Sequence, residues 1–292
     1  MEQQDERSAI AHFYESRADA FVSVRGTLAM HMGYYTGAED PATIAEATDR
    51  LVRLVGRRLG LGPGHRLLDV GCGAGQPALL LAEETGCFVA GVDASPGMIA
   101  TGRRQAAASA AGDRAEFHHA KATDLPFPDR SFDRALMLEV TSHLPDTARD
   151  GKQAALAEAA RCLEPGGLLA LVDMVVPPAA PKAGSLMEKV PSVHLSTRRR
   201  LRELLAAVGF DVLDVTDISA HTRHSARRSQ AAFDSRRREL AAAFGDDTVE
   251  EMAQLIGQLA EADQCLGYVV AIARAGQQDN RYARGGAGGG GG

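Results

Sequence analysis

The sequence predicts an α/β fold in which helices cover both faces of a mostly parallel sheet of seven strands. The main observation is that short apolar stretches alternate with segments of helical periodicity along most of the chain. The first apolar stretch also leads through a glycine-rich turn directly into a helix, which is typical of doubly wound sheets. The predicted strands are residues 67–70, 88–92, 115–119, 134–138, 168–172, 210–215 and 267–273.

Helices are predicted between these strands and beyond the core. Residues 8–60 have helical character, interrupted by a loop at residues 31–37 that contains Tyr34 and Tyr35. This loop either closes over a ligand or packs the helical segment on the core. Further helices are predicted from Ser95 onwards and at residues 77–85, 151–163, 197–208 and 222–262, with a break at residues 245–247.

The chain therefore divides into four parts. Residues 1–61 form an N-terminal helical cap, and residues 62–176 form the ligand-binding core. Residues 177–274 comprise a Pro-, Ala- and Lys-rich insertion, a C-terminal helical lid and the last strands. Residues 275–292 are polar and then almost pure glycine, so they cannot bury a core and are expected to be disordered.

Composition narrows the possible functions. The net charge of -6 over 292 residues argues against a surface adapted to nucleic acid. No apolar run is long enough to cross a membrane, and the acidic start of the chain does not resemble a secretory signal. The four cysteines lack metal-type spacing, which indicates reduced thiols in a cytoplasmic protein and no metal site. The arginine clusters on predicted helices are interpreted as solvated faces.

The turn at residues 71–75 is the strongest candidate for a ligand site. Three glycines leave almost no side chains there, so the backbone can lie close to a ligand. Pro77 suits the first turn of the following helix, whose free N–H groups face the same turn. The expected contacts are the backbone of Gly71, Cys72 and Gly73 and the side chain of Gln76.

The spacing of this turn distinguishes between two kinds of nucleotide ligand. Dinucleotide dehydrogenases have the pattern G-x-G-x-x-G, whereas this turn has G-x-G-x-G followed by Gln76. Asp69 precedes the first glycine by two residues, and its carboxylate would repel a pyrophosphate but accept hydrogen bonds from an ammonium or a ribose. The ligand indicated is a nucleoside that carries an amino acid, namely S-adenosylmethionine.

Polar residues at the ends of the other strands extend this site. Asp93 ends the second strand and is placed to bind both ribose hydroxyls, with Ala94 following it. Met98 either lies against the adenine or packs in the core. Because ligands of open α/β sheets bind at the carboxyl ends of strands, the segment from Glu139 to His143 is expected to face the site.

Four motifs in order resemble class I S-adenosylmethionine-dependent methyltransferases. The glycine turn is similar to their first motif, Asp93 matches their ribose-binding acid, and two turns resemble those before their fourth and fifth strands, at residues 125–133 and 163–167. The resemblance covers residues 62–175 well and implies a Rossmann-like fold, S-adenosylmethionine as cofactor and methyl transfer.

Within that class the chain resembles the small-molecule branch, and most of all the bacterial macrolide and deoxysugar O-methyltransferases. The element at residues 31–35 is similar to a His-x-Gly-Tyr-aromatic element of that branch, so Tyr34 is a candidate cofactor contact. The resemblance implies that His143 and Asp173, which ends the fifth strand, take part in deprotonating an acceptor hydroxyl. Histidine suits this role because it is neutral and basic near neutral pH.

The chain departs from the family at Lys121, where many members have an acid that meets the adenine amino group. Adenine recognition would then depend on backbone groups near Ala122 or on Thr123. Alternatives to O-methylation are C-methylation, in which Glu139 would stabilise a carbocation, and N-methylation. A protein that binds S-adenosylmethionine without catalysis is also compatible with the sequence, and the chain is expected to be a monomer or homodimer.

Overall fold

The computed structural model describes residues 19–147, 150–177, 193–262 and 266–276. Seven strands form one sheet in the order β3-β2-β1-β4-β5-β7-β6, and only β7 runs antiparallel to its neighbours. The predicted mostly parallel, Rossmann-like sheet is therefore confirmed. The strands are β1 (Arg66–Val70), β2 (Phe88–Asp93), β3 (Ala115–His119), β4 (Phe132–Leu138), β5 (Leu163–Val175), β6 (Phe210–Asp217) and β7 (Gly267–Ala275).

Helices cover both faces of this sheet. They are α1 (residues 19–25), α2 (Ile44–Leu59), α3 (Gln76–Thr85), α4 (Pro96–Ala108), α5 (Lys152–Cys162), α6 (Arg198–Ala207), α7 (Ser219–Thr222), α8 (Ser225–Phe244) and α9 (Asp246–Ala262). Local chemistry explains individual boundaries. Thr43 and Glu46 form a reciprocal capping box at the start of α2, which satisfies backbone N–H groups that the helix itself leaves free.

Two apolar layers separate the sheet from its helices. On one side Leu67 of β1 packs with Leu51 of α2 and Ile99 of α4. On the other side Leu68 packs with Leu156 of α5 and Leu204 of α6. Because neighbouring strand residues point to opposite faces, the continuous apolar run of β1 supplies both layers. Each fully buried leucine contributes roughly 1.5–3 kcal/mol of hydrophobic stabilisation.

The segment of residues 26–43 is not helical, so the loop predicted at residues 31–37 is present but longer, and the prediction of helix is wrong at residues 26–30 and 38–43. Gly26 has a left-handed backbone (φ 69°), which ends α1. Beyond it, side chains from distant parts of the chain bind the backbone of the segment: Gln76 accepts from Leu28 N–H (2.9 Å), and Ser225 Oγ accepts from Gly33 N–H (2.7 Å). We call residues 26–43 the N-terminal loop.

Several predicted boundaries also shift. Strand β4 begins at Phe132, and β5 begins at Leu163, so it includes the predicted turn at residues 163–167 with an irregular register. Ala275 is the last residue of β7 and does not belong to the tail. Residues 277–292 of the predicted tail, residues 1–18, and residues 178–192 of the Pro-, Ala- and Lys-rich insertion lie outside the described residues.

Helices α8 and α9 form an antiparallel pair broken at Gly245. A separate apolar cluster joins Phe21 and Val24 of α1 to Phe233 of α8 and Met252 of α9. The helical segments at the two ends of the described chain therefore pack together as one unit. In the described ranges, none of the helices has the length and apolar character needed to cross a membrane.

Both the backbone conformation and the packing at position 75 require glycine. Its backbone is left-handed (φ 81°), and an added Cβ would lie 2.5 Å from the ring of Phe117. We expect Gly75→Ala to lower the free energy of unfolding by about 2–4 kcal/mol, through backbone strain and overpacking. Gly60 is also left-handed (φ 62°) but has open space around it, so Gly60→Ala should cost only about 1–2 kcal/mol. Urea unfolding of both variants measures the difference, and equal losses would contradict the packing argument.

Candidate active site

A cavity of about 270 Å³ opens at the carboxyl ends of β1, β2 and β4. Most residues predicted to bind or react with a ligand line it: Asp69, Gly71, Cys72, Gly73, Gln76, Asp93, Ala94, Met98, Ala122, Thr123, Glu139 and His143. Lys121 lines it as well. Two predicted residues, Tyr34 and Asp173, are not among the described residues that line it.

Asp69 is a buried carboxylate at the end of β1, only 2% exposed. Its Oδ2 atom has no hydrogen-bond partner among the described residues. Burial, and secondarily the nearby charge of Asp93, raise the pKa of Asp69 to about 7. A carboxylate held this way costs free energy of folding and offers a strong site for a cation.

Asp93 holds the glycine turn in shape. Its Oδ2 accepts a hydrogen bond from Gly73 N–H (2.9 Å), and its Oδ1 accepts one from Ser95 N–H (2.8 Å). Burial raises its pKa, although both hydrogen bonds oppose that shift. The acid at the end of β2 is therefore fixed against the turn at the end of β1.

Glu139 follows β4 with a left-handed backbone (φ 54°), a conformation that non-glycine residues seldom adopt. Its Oε1 accepts hydrogen bonds from the Tyr268 hydroxyl (2.6 Å) and from Met32 N–H (2.8 Å). Burial raises the pKa of Glu139 to about 7 despite these two donors. Strain of this kind persists where surrounding contacts fix it, and it is concentrated at functional sites.

Asp173 supports the segment that carries His143. It is 1% exposed, and its Oδ2 accepts hydrogen bonds from Thr141 Oγ1 (2.6 Å) and Ser142 N–H (2.9 Å). These residues form a single 3₁₀ turn, Thr141–His143. The carboxylate thus sets the orientation of the turn from which His143 reaches the cavity.

The aromatic pair of the N-terminal loop packs against α7 and α8. The Tyr34 ring stacks on His221 at 4.1 Å, and its N–H donates to the Ala47 carbonyl. Tyr35 is fully buried beneath the guanidinium of Arg228. Of the two interpretations offered by the sequence, the packing one describes Tyr35.

The cavity also contains residues that the sequence did not single out. Residues 28–31 of the N-terminal loop line it opposite the strand ends, and His31 is among them. Burial lowers the pKa of His31 to about 4. The His-x-Gly-Tyr element contains this residue, although only Tyr34 of that element is predicted from the sequence as a cofactor contact.

Comparisons with known proteins agree with this geometry. A methyltransferase-domain family matches residues 67–167. Methyltransferase GfsG from Streptomyces halstedii is 32% identical over 89% of this chain and 92% of its own length. The 27-O-demethylrifamycin SV methyltransferase of Amycolatopsis mediterranei is 30% identical over 89% of this chain and 94% of its own. The chain belongs to the S-adenosylmethionine-dependent methyltransferases.

Two solved structures have folds similar to that of this methyltransferase. The crystal structure of the [4+2]-cyclase SpnF matches with a TM-score of 0.79 and 29% identity, covering 91% of this chain and 95% of that one. A putative sarcosine dimethylglycine methyltransferase from Galdieria sulphuraria matches with a TM-score of 0.80 over 92% of this chain and 100% of that one, at 19% identity. The second likeness shows the fold alone.

The cavity of this methyltransferase fits its cofactor, S-adenosylmethionine. The cofactor carries an ammonium and two ribose hydroxyls, and the cavity offers an unpartnered oxygen on Asp69 and the fixed carboxylate of Asp93. Around Gly73 an added Cβ would meet nothing within 4 Å, so the turn leaves open space beside its backbone. A pyrophosphate would meet both acids, which argues against a dinucleotide.

The buried carboxylate of Asp69 is predicted to destabilise the unliganded methyltransferase at neutral pH. The pKa of Asp69 is about 7 when folded and 3.8 when unfolded, so unfolding releases a proton between these pH values and stability falls as pH rises. At pH 7.5 we expect Asp69→Asn to raise the free energy of unfolding by about 1–3 kcal/mol, since an unpaired amide replaces an unpaired charge.

Urea unfolding at pH 4 and pH 7.5, without ligand, measures this effect. The gain should be absent at pH 4, and the same variant should bind S-adenosylmethionine at least tenfold more weakly, by about 1.4 kcal/mol. Asp113→Asn, at an exposed site, is the matched control and should change neither property. A less stable Asp69→Asn protein at pH 7.5 would contradict the charge argument.

The hydrogen bond between Tyr268 and Glu139 gives a second prediction. Because the Tyr268 hydroxyl stabilises the ionised carboxylate, Tyr268→Phe should raise the pKa of Glu139 above its value of about 7. Carbon-13 NMR of the glutamate carboxyl groups across a pH titration measures it. Tyr34→Phe is the control. An unchanged or lower pKa would show that this hydrogen bond does not control Glu139.

Proposed function

We propose that this methyltransferase moves the methyl group of S-adenosylmethionine to a hydroxyl of a small, secondary-metabolite type molecule, with His143 as general base. The observation that carries the proposal is that His143, on a turn held by Asp173, lines the same cavity as Asp69 and Asp93. The relatives from Streptomyces halstedii and Amycolatopsis mediterranei support the proposal, because both are methyltransferases and the second is named for an O-demethylated substrate.

A few residues of the cavity would bind the different groups of the cofactor. Asp69 would pair with the ammonium, and Asp93 would accept hydrogen bonds from the ribose hydroxyls. Met98 would lie against the adenine, and backbone groups near Ala122 and Thr123 would take its amino group in place of the acid that Lys121 replaces. The backbone of Gly71, Cys72 and Gly73, with Ala94, Gln76 and Glu139, completes the proposed set. Tyr34 is left out because it is not among the described residues that line the cavity.

S-adenosylmethionine supplies a methyl group already activated on a sulfonium, so the protein contributes mainly orientation and removal of one proton. His143 would accept that proton from the acceptor hydroxyl. Asp173 acts as a positioning residue, because it holds Thr141 and Ser142 and thereby the turn that ends in His143. General base catalysis of this kind contributes about 10²–10⁴-fold to a rate.

Other reactions are alternatives to O-methylation, and Glu139 would take part in one of them. Its fixed carboxylate at the cavity could stabilise a carbocation, as C-methylation requires, and an N-methyl transfer would need neither acid nor base. SpnF, which the fold resembles, is described as a [4+2]-cyclase, so a reaction without methyl transfer is the second candidate. Transfer of a labelled methyl group from S-adenosylmethionine separates methylation from a reaction without methyl transfer, and the NMR shift of that methyl group in the product distinguishes an oxygen, nitrogen or carbon acceptor atom.

The remaining parts of the proposal concern the acceptor and the setting. We place cofactor binding in residues 62–176 and acceptor recognition in residues 8–40, 177–200 and 220–262, which resemble the family least. The net charge of -6 favours a small molecule over nucleic acid as partner. We expect a cytoplasmic enzyme that is a monomer or homodimer.

The general base is tested by substitution. With a panel of hydroxylated polyketides and phenols, and labelled S-adenosylmethionine, we expect methyl ethers from the wild-type protein. His143→Ala and His143→Gln should lower kcat about 10²–10⁴-fold while the Kd for the cofactor stays the same. His65→Gln, which precedes β1 at the opposite, amino-terminal end of the parallel strands, is the control. Turnover near the wild-type rate in both His143 variants would remove His143 from this role.

A further inference from the structure

Lys152, the first residue of α5, is a buried lysine. It is only 1% exposed, and lysines are seldom buried this deeply because the ammonium loses its hydration. Burial lowers the pKa of Lys152, although the negative charges of Asp146 and Asp173 oppose that shift. A buried ammonium is costly to the fold, so the hydrogen bond that it makes is the feature to explain.

That hydrogen bond goes to residues 193–196, which we call the returning segment. Lys152 Nζ donates to the carbonyl of His194 (2.5 Å). The N–H of His194 in turn donates to the carbonyl of Ser142 (2.6 Å). At its other end the segment meets the end of β5, where Val176 N–H donates to the Ser196 carbonyl (3.0 Å). A side chain on α5 thereby reaches Ser142 through a single residue.

Ser142 is the middle residue of the 3₁₀ turn that presents His143 to the cavity. Both of its backbone polar groups are bound by distant parts of the chain. Its N–H donates to Asp173 Oδ2 (2.9 Å), and its carbonyl accepts from His194. Asp173 thus holds the turn by its donor, and the returning segment holds it by its acceptor.

Lys152 is joined to the turn along two routes. Its backbone N–H donates to the carbonyl of Pro145 (3.0 Å), which follows the turn by two residues. Its side chain reaches the turn through His194 and Ser142. Hydrogen bonds from an ionised donor are stronger than those between neutral groups, and a low local dielectric strengthens them further. Removing the ammonium would leave only the backbone route.

We propose that Lys152 is a positioning residue for methyl transfer: its ammonium fixes the returning segment and, through it, the turn that places His143 at the cavity. This inference rests on the proposed function, in which His143 is the general base. Because a misplacement of about 1 Å can slow a reaction about 10²-fold, loss of the ammonium slows the chemical step. Asp69 and Asp93 lie on other strands, so cofactor binding is retained.

The backbone amides of two histidines report this arrangement directly. The N–H of His194 donates to Ser142, and the N–H of His143 donates to Val140 (3.1 Å). The full chain labelled with nitrogen-15 histidine is compared with Lys152→Met, which keeps an unbranched apolar side chain and removes the ammonium. We expect both amide signals to shift, while that of His65, at the amino-terminal end of the strands, stays unchanged.

Kinetics test the catalytic consequence with an acceptor that the wild-type protein methylates. Lys152→Met should lower kcat about tenfold or more and leave the Kd for S-adenosylmethionine unchanged. Gln153→Met, at the next position of α5, is the matched control and should alter neither the spectrum nor kcat. Gly60→Ala, which lowers stability at the end of α2, should keep the wild-type kcat below its melting temperature.

Lys152→Gln is the second variant, for use where melting curves show that Lys152→Met does not fold. Its neutral amide is one atom shorter than the lysine side chain, so the same shifts and the same loss of kcat are expected.

An unchanged His143 amide in the folded Lys152 variant would overturn the proposal, because the turn would then keep its place without the ammonium. A wild-type kcat in that variant, or an equal loss in Gly60→Ala, would overturn it too. The histidine spectrum requires no methyl transfer. A failure of the proposed O-methylation is therefore seen separately, as wild-type protein that binds S-adenosylmethionine without forming a methyl ether, or as full turnover in His143→Ala.

Discussion

One buried and two half-buried carboxylates at the ends of parallel strands are the constraint on which this site depends. Asp69, Asp93 and Glu139 lie in one cavity, and burial raises the pKa of each. Negative charge of this density is costly to fold without a compensating cation. The carboxylates lie at the strand ends, and a cationic ligand that binds beside them offsets part of the lost free energy of folding. The same charge argument disfavours dinucleotide ligands, because the carboxylates would repel their negatively charged pyrophosphate.

Glu139 connects this constraint to the rest of the molecule. One of its oxygens accepts hydrogen bonds from Tyr268 of β7 and from Met32 of the N-terminal loop. Its own N–H donates to Val172 of β5 (2.8 Å). Glu139, with its left-handed backbone, therefore connects antiparallel β7, parallel β5 and the N-terminal loop. A change at any of these partners therefore reaches the cavity through Glu139.

The sequence predicted the parts of the structure that local rules control. The glycine turn, the helix that begins after Gly75 and the acids Asp69 and Asp93 follow from backbone sterics and from the position of strand ends. The N-terminal loop was predicted too short, with helix at residues 26–30 and 38–43, because its conformation depends on partners far along the chain, such as Gln76 and Ser225. Periodicity within the loop contains no information about those partners.

The same distinction between local and long-range determinants applies to His143 and His31. His143 follows a strand end, so its place at the cavity could be inferred from topology, whereas the support from Asp173 through Thr141 and Ser142 required coordinates. His31 lies in a segment whose fold is set by long-range contacts, and its tautomer is set by one carbonyl oxygen, that of Met32. The cavity residues at the strand ends are thus encoded locally, while those of the N-terminal loop depend on how distant side chains hold that loop. The loop side of the cavity can therefore change in sequence without disturbing the strand ends on the other side.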